Sequence, residues 1–316
     1  MAEESEKTLH LPCRLGEVTF WNPALRLWVY QAGLFEGAGE AEVVEHVRAE
    51  ARARDGAFLN SLRTSDGGTG LSLRSGFLRY VPQQADRFII DMAGSFDAYM
   101  AGFAGKTRST LRRKMRRFER EAGGELDVRE YRGRDELAEF FGSARAVSAR
   151  SYQEIMLDAG LPDDEAFRAQ ALAEAEAGRC RGYLLFLAQR PAAYLFCPIR
   201  DGVARYAYVG YDQELASLSP GTVLLLNVLE RLHGDAAIHT FDFLEGGDER
   251  SHKAFFANRQ LDCTNVFLLR PTPRNVAVVL VHASSRRLSR ALAWGLARLG
   301  LKRRIRQAIR WLRLAR

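Results

Sequence analysis

Strands and helices alternate along most of this chain, which predicts an α/β protein built on a mixed (α+β) sheet. Two observations sharpen that expectation. From residue 126 onward the order reads β-α-α-β-β-β-α-β-α-β. Within that run, Val203 to Lys253 sets an aromatic strand, a Ser-Pro-Gly-Thr helix start, an apolar helix and a strand carrying Asp242 in succession. Strand, anion-ready helix start, helix and carboxylate-bearing strand is the order of a cofactor site.

In chain order, residues 1–10 are polar and acidic and read as a flexible N-terminus without a secretory signal. Residues 11–91 read as mixed α/β, with strands at 14–21, 26–35, 57–62, 72–80 and 87–91. A helix over 39–54 places Val43, Val44 and Val47 on one face. The glycine-rich cluster at 66–70 is a surface turn. A short helix at 95–103 leads into GKTRSTLRRKMRRFERE, residues 105–121, whose Leu111, Met115 and Phe118 form a buried stripe. Its arginines either pair with acidic neighbours or face a phosphate-bearing or acidic ligand, since guanidinium forks suit phosphate. No helix-turn-helix, zinc finger or aromatic RNA-stacking signature accompanies them, so specific nucleic-acid binding is not expected.

Beyond Gly123-Gly124 come a strand at 126–132, a helix at 135–152 and a helix from Pro162 to Ala177. Strands follow at 182–189, 192–200 and 203–211, the last two joined by the hairpin signal Asp201-Gly202. A helix from Pro220, a strand at 238–244, a short helix at 252–258 and a strand at 263–269 complete the order.

Composition excludes several classes. The apolar fraction of 47% and charged fraction of 27% suit a soluble globular protein. Cys13, Cys180, Cys197 and Cys263 form no C-x-x-C pair, which argues against disulfides and zinc and for a reducing compartment. Six scattered histidines give no metal signal. No window of about 18 apolar residues predicts a spanning helix, so the cytoplasm is the default. The net charge of +7 is a property of the tail: residues 263–316 hold 13 Lys or Arg and no Asp or Glu, and the rest is acidic overall.

In element order and in the loop before its central helix, the second half resembles the GNAT acyltransferase fold. The closer resemblance is to the BioF2-like (CelD-type) acetyltransferases, related to the FemAB aminoacyltransferases. It rests on Lys106-Thr107-Arg108, Gly210-Tyr211-Asp212, Ser219-Pro220-Gly221-Thr222, and Phe241 to Gly246 leading to Lys253. The usual GNAT loop Q/R-x-x-G-x-G/A is absent, its shorter form fits the subfamily, and His252 stands where that family often has tyrosine. The resemblance implies a degenerate GNAT-like first half (11–122 with the basic helix), a catalytic domain (123–271) and a basic C-terminal helix (272–316). It also implies acetyl-CoA as co-substrate, without a metal.

Acyl transfer from a CoA thioester needs a grip on the pyrophosphate, polarisation of the carbonyl and movement of two protons. Ser219, Pro220, Gly221 and Thr222 suit the first, because free N–H groups at a helix start favour an anion and glycine lets it approach. By resemblance, a backbone amide near Tyr208, Val209 and Gly210 polarises the carbonyl, with Gly210 marking a bulge or simply ending a strand. Asp242, between two phenylalanines on a central strand, is a candidate base or a structural carboxylate paired with Lys253 or an arginine. His252 is a further catalytic candidate, and Tyr208 or Tyr211 could protonate the leaving thiolate. Arg108, Lys253 and Glu245 are candidates for binding substrate.

Residues 283–316 pattern as a basic amphipathic helix with Trp294 and Trp311 as anchors, suited to an anionic membrane surface or to docking on the acidic body. The leading expectation is acetyl transfer to an amine of a sugar or of a cell-envelope or exopolysaccharide precursor. The protein would be cytoplasmic, with peripheral attachment to the inner face of the membrane. Aminoacyl transfer from charged tRNA, as in FemAB relatives, is a second expectation. A non-catalytic scaffold for a polysaccharide-synthesis or membrane partner is a third.

Overall fold

The acidic start of the chain is a strand, which corrects the expectation of a flexible tail. A computed structural model describes residues 3–16, 18–31, 39–62, 68–157, 160–245 and 251–298. In it β1 (Glu3–His10) pairs antiparallel with β4 (Ala24–Gln31) over its whole length. Polar contacts do the work that an apolar pattern would announce. Glu4 accepts from Trp28 Nε1 at 2.8 Å and meets His46 Nε2 at 2.6 Å, while Glu6 pairs with Arg54 at 2.8 Å.

Between those strands lies the hairpin β2 (Cys13–Leu15) and β3 (Val18–Trp21). Next come α1 (Glu40–His46), α2 (Arg48–Ala53), β5 (Gly56–Leu62), β6 (Gly70–Arg74) and β7 (Phe77–Val81). The helical period in 39–54 is as expected, and it buries Val43, Val44, Val47 and Ala51 against Ala57 and Leu59.

The middle of the chain runs β8 (Gln84–Asp91), α3 (Phe96–Ala101), α4 (Gly105–Glu121), β9 (Asp127–Tyr131), α5 (Arg134–Ser148), α6 (Tyr152–Leu157) and α7 (Glu165–Glu176). It continues β10 (Cys180–Leu187), β11 (Arg190–Arg200), β12 (Val203–Arg205), β13 (Tyr208–Tyr211), α8 (Pro220–His233), β14 (Thr240–Glu245) and α9 (His252–Phe256). The last described elements are β15 (Arg259–Leu269) and α10 (Pro273–Arg298).

Compact units do not follow the linear division drawn from the resemblance. Residues 1–86 and 262–316 make one and residues 87–261 the other. The chain's end returns to its beginning because β15 pairs with β5 and β7, and because α10 lays Val278 and Val279 against Leu25, Leu27 and Tyr80. The first half of the basic C-terminal helix is therefore docked, whereas Leu288, Leu292 and Trp294 are exposed. Residues 299–316, with Trp311, lie outside the described residues.

A buried histidine ties α10 down. Tyr80 Oη and His282 Nδ1 share a hydrogen bond of 2.7 Å, and burial, then the Arg286 cation, push the His282 pKa down to about 4. The unfolded chain binds this proton more readily, so the stabilisation is complete above about pH 6.5 and is lost as pH falls toward 4. Acidification through that window should cost about 2–3 kcal/mol. Thermal melts of the wild type and His282→Gln at pH 7.5 and 4.5 check this: the variant should lose less on acidification, and an equal loss would refute it.

In the second unit the sheet order is β8-β14-β12-β11-β10-β9, with only β12 and β14 parallel. One face packs under α4 and α8 through Leu111, Phe118, Val223 and Leu226. The other packs under α5 and α7 through Leu137, Phe140 and Ala171. The strand expected over 203–211 is two strands. Tyr206 N–H reaches across to Asp242 O at 2.8 Å, then Ala207 N–H turns back to Arg205 O at 3.0 Å. Beyond that break β13 pairs with β11 and, among the described residues, no longer with β14.

Candidate active site

The parting of β13 from β14 opens a cavity of about 720 Å³. A second irregularity bends the opposite wall. Asp242 pairs with Ile89 and Glu245 with Arg87, so β14 spends one more residue than β8 between them, which is a β-bulge. Leu244 sits in it at φ 61° and lines the cavity. Asp242 makes that bend possible: one carboxylate oxygen accepts from Leu244 N–H at 2.9 Å, while Arg87 clamps both oxygens at 2.5 and 3.0 Å. Asp242 is 0% exposed and Arg87 1%. Asp242 as a proton acceptor for substrate is thus corrected, because its oxygens are occupied and sealed from the cavity. Of the two sequence readings, the carboxylate paired with an arginine describes it, and the arginine is Arg87.

On β13 the strand period turns Val209 and Tyr211 toward the cavity, and Tyr208 and Gly210 away from it. Tyr208 as acid is therefore also corrected, since its ring packs edge-on to Phe167 at 5.3 Å behind the sheet. Gly210 does not open the sheet: a Cβ there would stand 2.6 Å from a Tyr194 ring carbon and 2.9 Å from Ser151 Cβ, so glycine is required by close packing. Asp212 N–H donates to Ala192 O on the β11 side at 2.9 Å. Alternation along the strand then turns the N–H groups of Val209 and Tyr211 toward the cleft. Asp212 itself is buried, held by Arg150 and Arg190 at 2.9 and 2.5 Å, and it anchors the turn that leads to α8.

The start of α8 closes one end of the cavity with Ser219, Gly221 and Thr222. Ser219 takes the left-handed conformation (φ 57°, ψ 46°), and its carbonyl accepts from Thr222 and Val223 N–H. Its side chain caps nothing in the helix. Pro220 occupies the first helical position and lacks an N–H, so Gly221 offers the first turn's open donor. Tyr211 covers that glycine: an added Cβ would lie 3.2 Å from its ring.

His252 and Lys253, on α9, line the same cavity. The His252 ring lies 4.8 Å from that of Phe256 and 6.5 Å from that of Tyr206. Surrounding protein, then the cations of Lys114 and Lys253, lower its pKa, so the imidazole is neutral at neutral pH and can accept a proton. Side-chain geometry of Glu245 lies outside the described residues, as does the Gly246-Gly247 turn. Arg108 is not brought to the site: its guanidinium donates to Ala101 O at 3.3 Å.

Two cavity residues escaped sequence reasoning. An unbroken strand over 203–211 would put Tyr206 on the face of Tyr208, and the break at 206–207 brings it into the cavity instead. Burial raises its pKa, so its phenol keeps its proton. Gln153 enters from α6, a short helix that lies beyond the end of the one expected over 135–152. Glu154, bound by Arg145 and by Ser148 Oγ at 2.6 Å, fixes that turn to α5.

Comparison with known proteins agrees with this geometry. A family model described as an acetyltransferase (GNAT) domain matches residues 105–254. No curated protein matches the chain in sequence. Among solved structures, the C-terminal domain of a putative lysylphosphatidylglycerol synthetase from Agrobacterium fabrum is 13% identical, with a TM-score of 0.53 over 83% of this chain and 84% of that one. FemX is 10% identical with a TM-score of 0.52 over 86% and 90%. L-PGS from Bacillus licheniformis is 13% identical with a TM-score of 0.50 over 84% and 85%. Those identities speak for the fold, and the family match speaks for the domain. Residues 105–254 thus match an acetyltransferase (GNAT) domain, in a chain whose fold is similar to those of FemX and the two lysylphosphatidylglycerol synthetase structures.

Proposed function

We propose that the cleft between β13 and β14 transfers an acyl group, acetyl by family resemblance, from a CoA thioester to an amine of a sugar or envelope precursor. The observation that carries this is the parted strand pair with an open helix start at its end. The donor set fits the co-substrate, which supplies an activated acyl group when bound. The open Gly221 N–H presents the α8 dipole to its pyrophosphate, beside the Thr222 side chain. Val209 N–H faces the place where charge builds on the carbonyl oxygen. Neutral His252 takes the proton of the attacking amine, and Tyr206 or Tyr211 returns one to the departing sulfur.

Calorimetric titration of the full chain with acetyl-CoA tests this. Saturable binding is expected. Gly221→Glu, which puts a carboxylate and bulk where the phosphate would sit, should weaken it at least about 100-fold, or roughly 2.7 kcal/mol. No binding to the wild type would sink the proposal in favour of a non-catalytic scaffold or a different donor.

One observation favours a second reading, aminoacyl transfer from charged tRNA. Ion pairs hold basic side chains across this unit, yet among the described residues no side chain of α4 takes part in one. Arg112, Arg113, Arg116, Arg117 and Arg120 are all exposed. RNase treatment that abolishes transfer would favour tRNA. Residues 283–316 are our proposed contact with anionic membrane, and sedimentation with anionic vesicles, weakened in a chain ending at Arg298 that keeps the docked part of α10, checks it.

A further inference from the structure

A second cavity of about 360 Å³ adjoins the acyl cleft. The two share Thr222 and His252, so His252 stands at their junction. One helical face of α4 forms its wall, with Lys106, Thr107, Thr110 and Lys114 at helical spacing. Phe255 and Phe256 line it as well, which lowers the local polarity and strengthens any charge pairing inside. Among the described residues neither lysine has a carboxylate partner. Thr110 Oγ1 donates to Lys106 O at 2.9 Å, which leaves two cations and the Thr107 side chain lining a recess beside the acyl cleft, a receptor for a doubly charged oxyanion for which ammonium groups act as point charges.

We propose that this second cavity binds a phosphate group of the acceptor, so that the acceptor is a phosphate-bearing amine. The proposal rests on the acyl-transfer reading and specifies its acceptor. With its phosphate on Lys106 and Lys114, such an acceptor reaches past His252 into the cleft, placing its amine beside the imidazole on one side and the acyl carbon on the other. The amine nitrogen forms the bond to the acyl carbon, the carbon–sulfur bond breaks, His252 receives the amine proton, and the thiol leaves with a proton from tyrosine. The phosphate takes no part in the bond changes, and its binding supplies orientation.

Phosphate in the recess could also come from CoA itself, so the test separates the two. Inorganic pyrophosphate is titrated into the full-length protein saturated with CoA, for the wild type, Lys106→Gln/Lys114→Gln, and Arg112→Gln/Arg116→Gln on the exposed flank of the same helix. Acetyl-CoA affinity is measured on the same three proteins. Expected are pyrophosphate binding to the loaded wild type, at least a tenfold loss in the lysine variant, a loss under threefold in the arginine variant, and unchanged acetyl-CoA affinity throughout. Three results would each overturn the proposal: no pyrophosphate binding to the loaded wild type, an equal loss in the arginine variant, or a lysine variant whose loss falls on acetyl-CoA. If acetyl-CoA fails to bind while pyrophosphate still binds through the lysines, the acyl-CoA reading falls and the oxyanion site stands.

Discussion

Arg87→Ala is expected to destabilise the protein by about 3–5 kcal/mol, because it strands the Asp242 carboxylate in a fully buried site without its cation. The loss reaches the cleft as well. Asp242 holds Leu244 N–H in the bulge of β14, and a carboxylate forced to neutralise or turn toward water would release that bend. Denaturant unfolding of the variant gives the first quantity. Replacing both partners, as Arg87→Met with Asp242→Leu, should recover most of the stability, since a desolvated pair often does no better than apolar residues of similar volume. The double variant also decides the role of Asp242. Retained transfer at a reduced level marks a residue that shapes the cleft, whereas complete loss in a well-folded double variant would restore it as a reacting group.

His252→Gln is expected to lower kcat/KM by about 10²–10⁴, the usual range for loss of a positioned base. The pH profile distinguishes this from a packing effect. Folding depresses the His252 pKa, so the imidazole stays unprotonated to below its ordinary value near 6.5. Wild-type activity should therefore hold down through pH 6.5 and fall only in more acidic solution. That acidic limb should be missing from the glutamine variant. Release of CoA thiol, followed with a chromogenic reagent from pH 5 to 9, reads both. A limb that persists in His252→Gln would assign the base elsewhere.

The sheet and its helices were legible where side chains are apolar and periodic. The helix 105–121 and the helix after Ser219 stand where periodicity put them, and the strands expected at 182–189 and 192–200 form about two residues earlier, as Cys180–Leu187 and Arg190–Arg200. What escaped were features that depend on partners distant in sequence. Strand β1 is held by Glu4 and Glu6 reaching Trp28, His46 and Arg54, and a polar strand of that kind leaves no apolar pattern. The break at Tyr206–Ala207 is written in its contact with Asp242, not in any local turn signal. It reverses which tyrosine faces the cleft. Asp242 looked reactive because a carboxylate between phenylalanines is unusual, and nothing in the sequence joined it to an arginine 155 residues earlier. By contrast, Ser219 to Thr222 was readable because proline and glycine at a helix start carry their conformational meaning locally.

The uncompensated cations of α4 also bear on how fast the site fills. Eight Lys or Arg on 17 residues, against two Glu, create a field that reaches beyond contact distance into solvent. An anionic ligand diffusing past is drawn toward the rim of the second cavity before any hydrogen bond forms. Such capture depends on the ionic atmosphere, because the screening length shrinks from about 30 Å at 0.01 M salt to about 8 Å at 0.15 M. Encounter rates would fall steeply over that range while the rate of escape changed little. Occupancy would then be governed by the medium as much as by the cleft, and the helix would act as an antenna for polyanionic cargo.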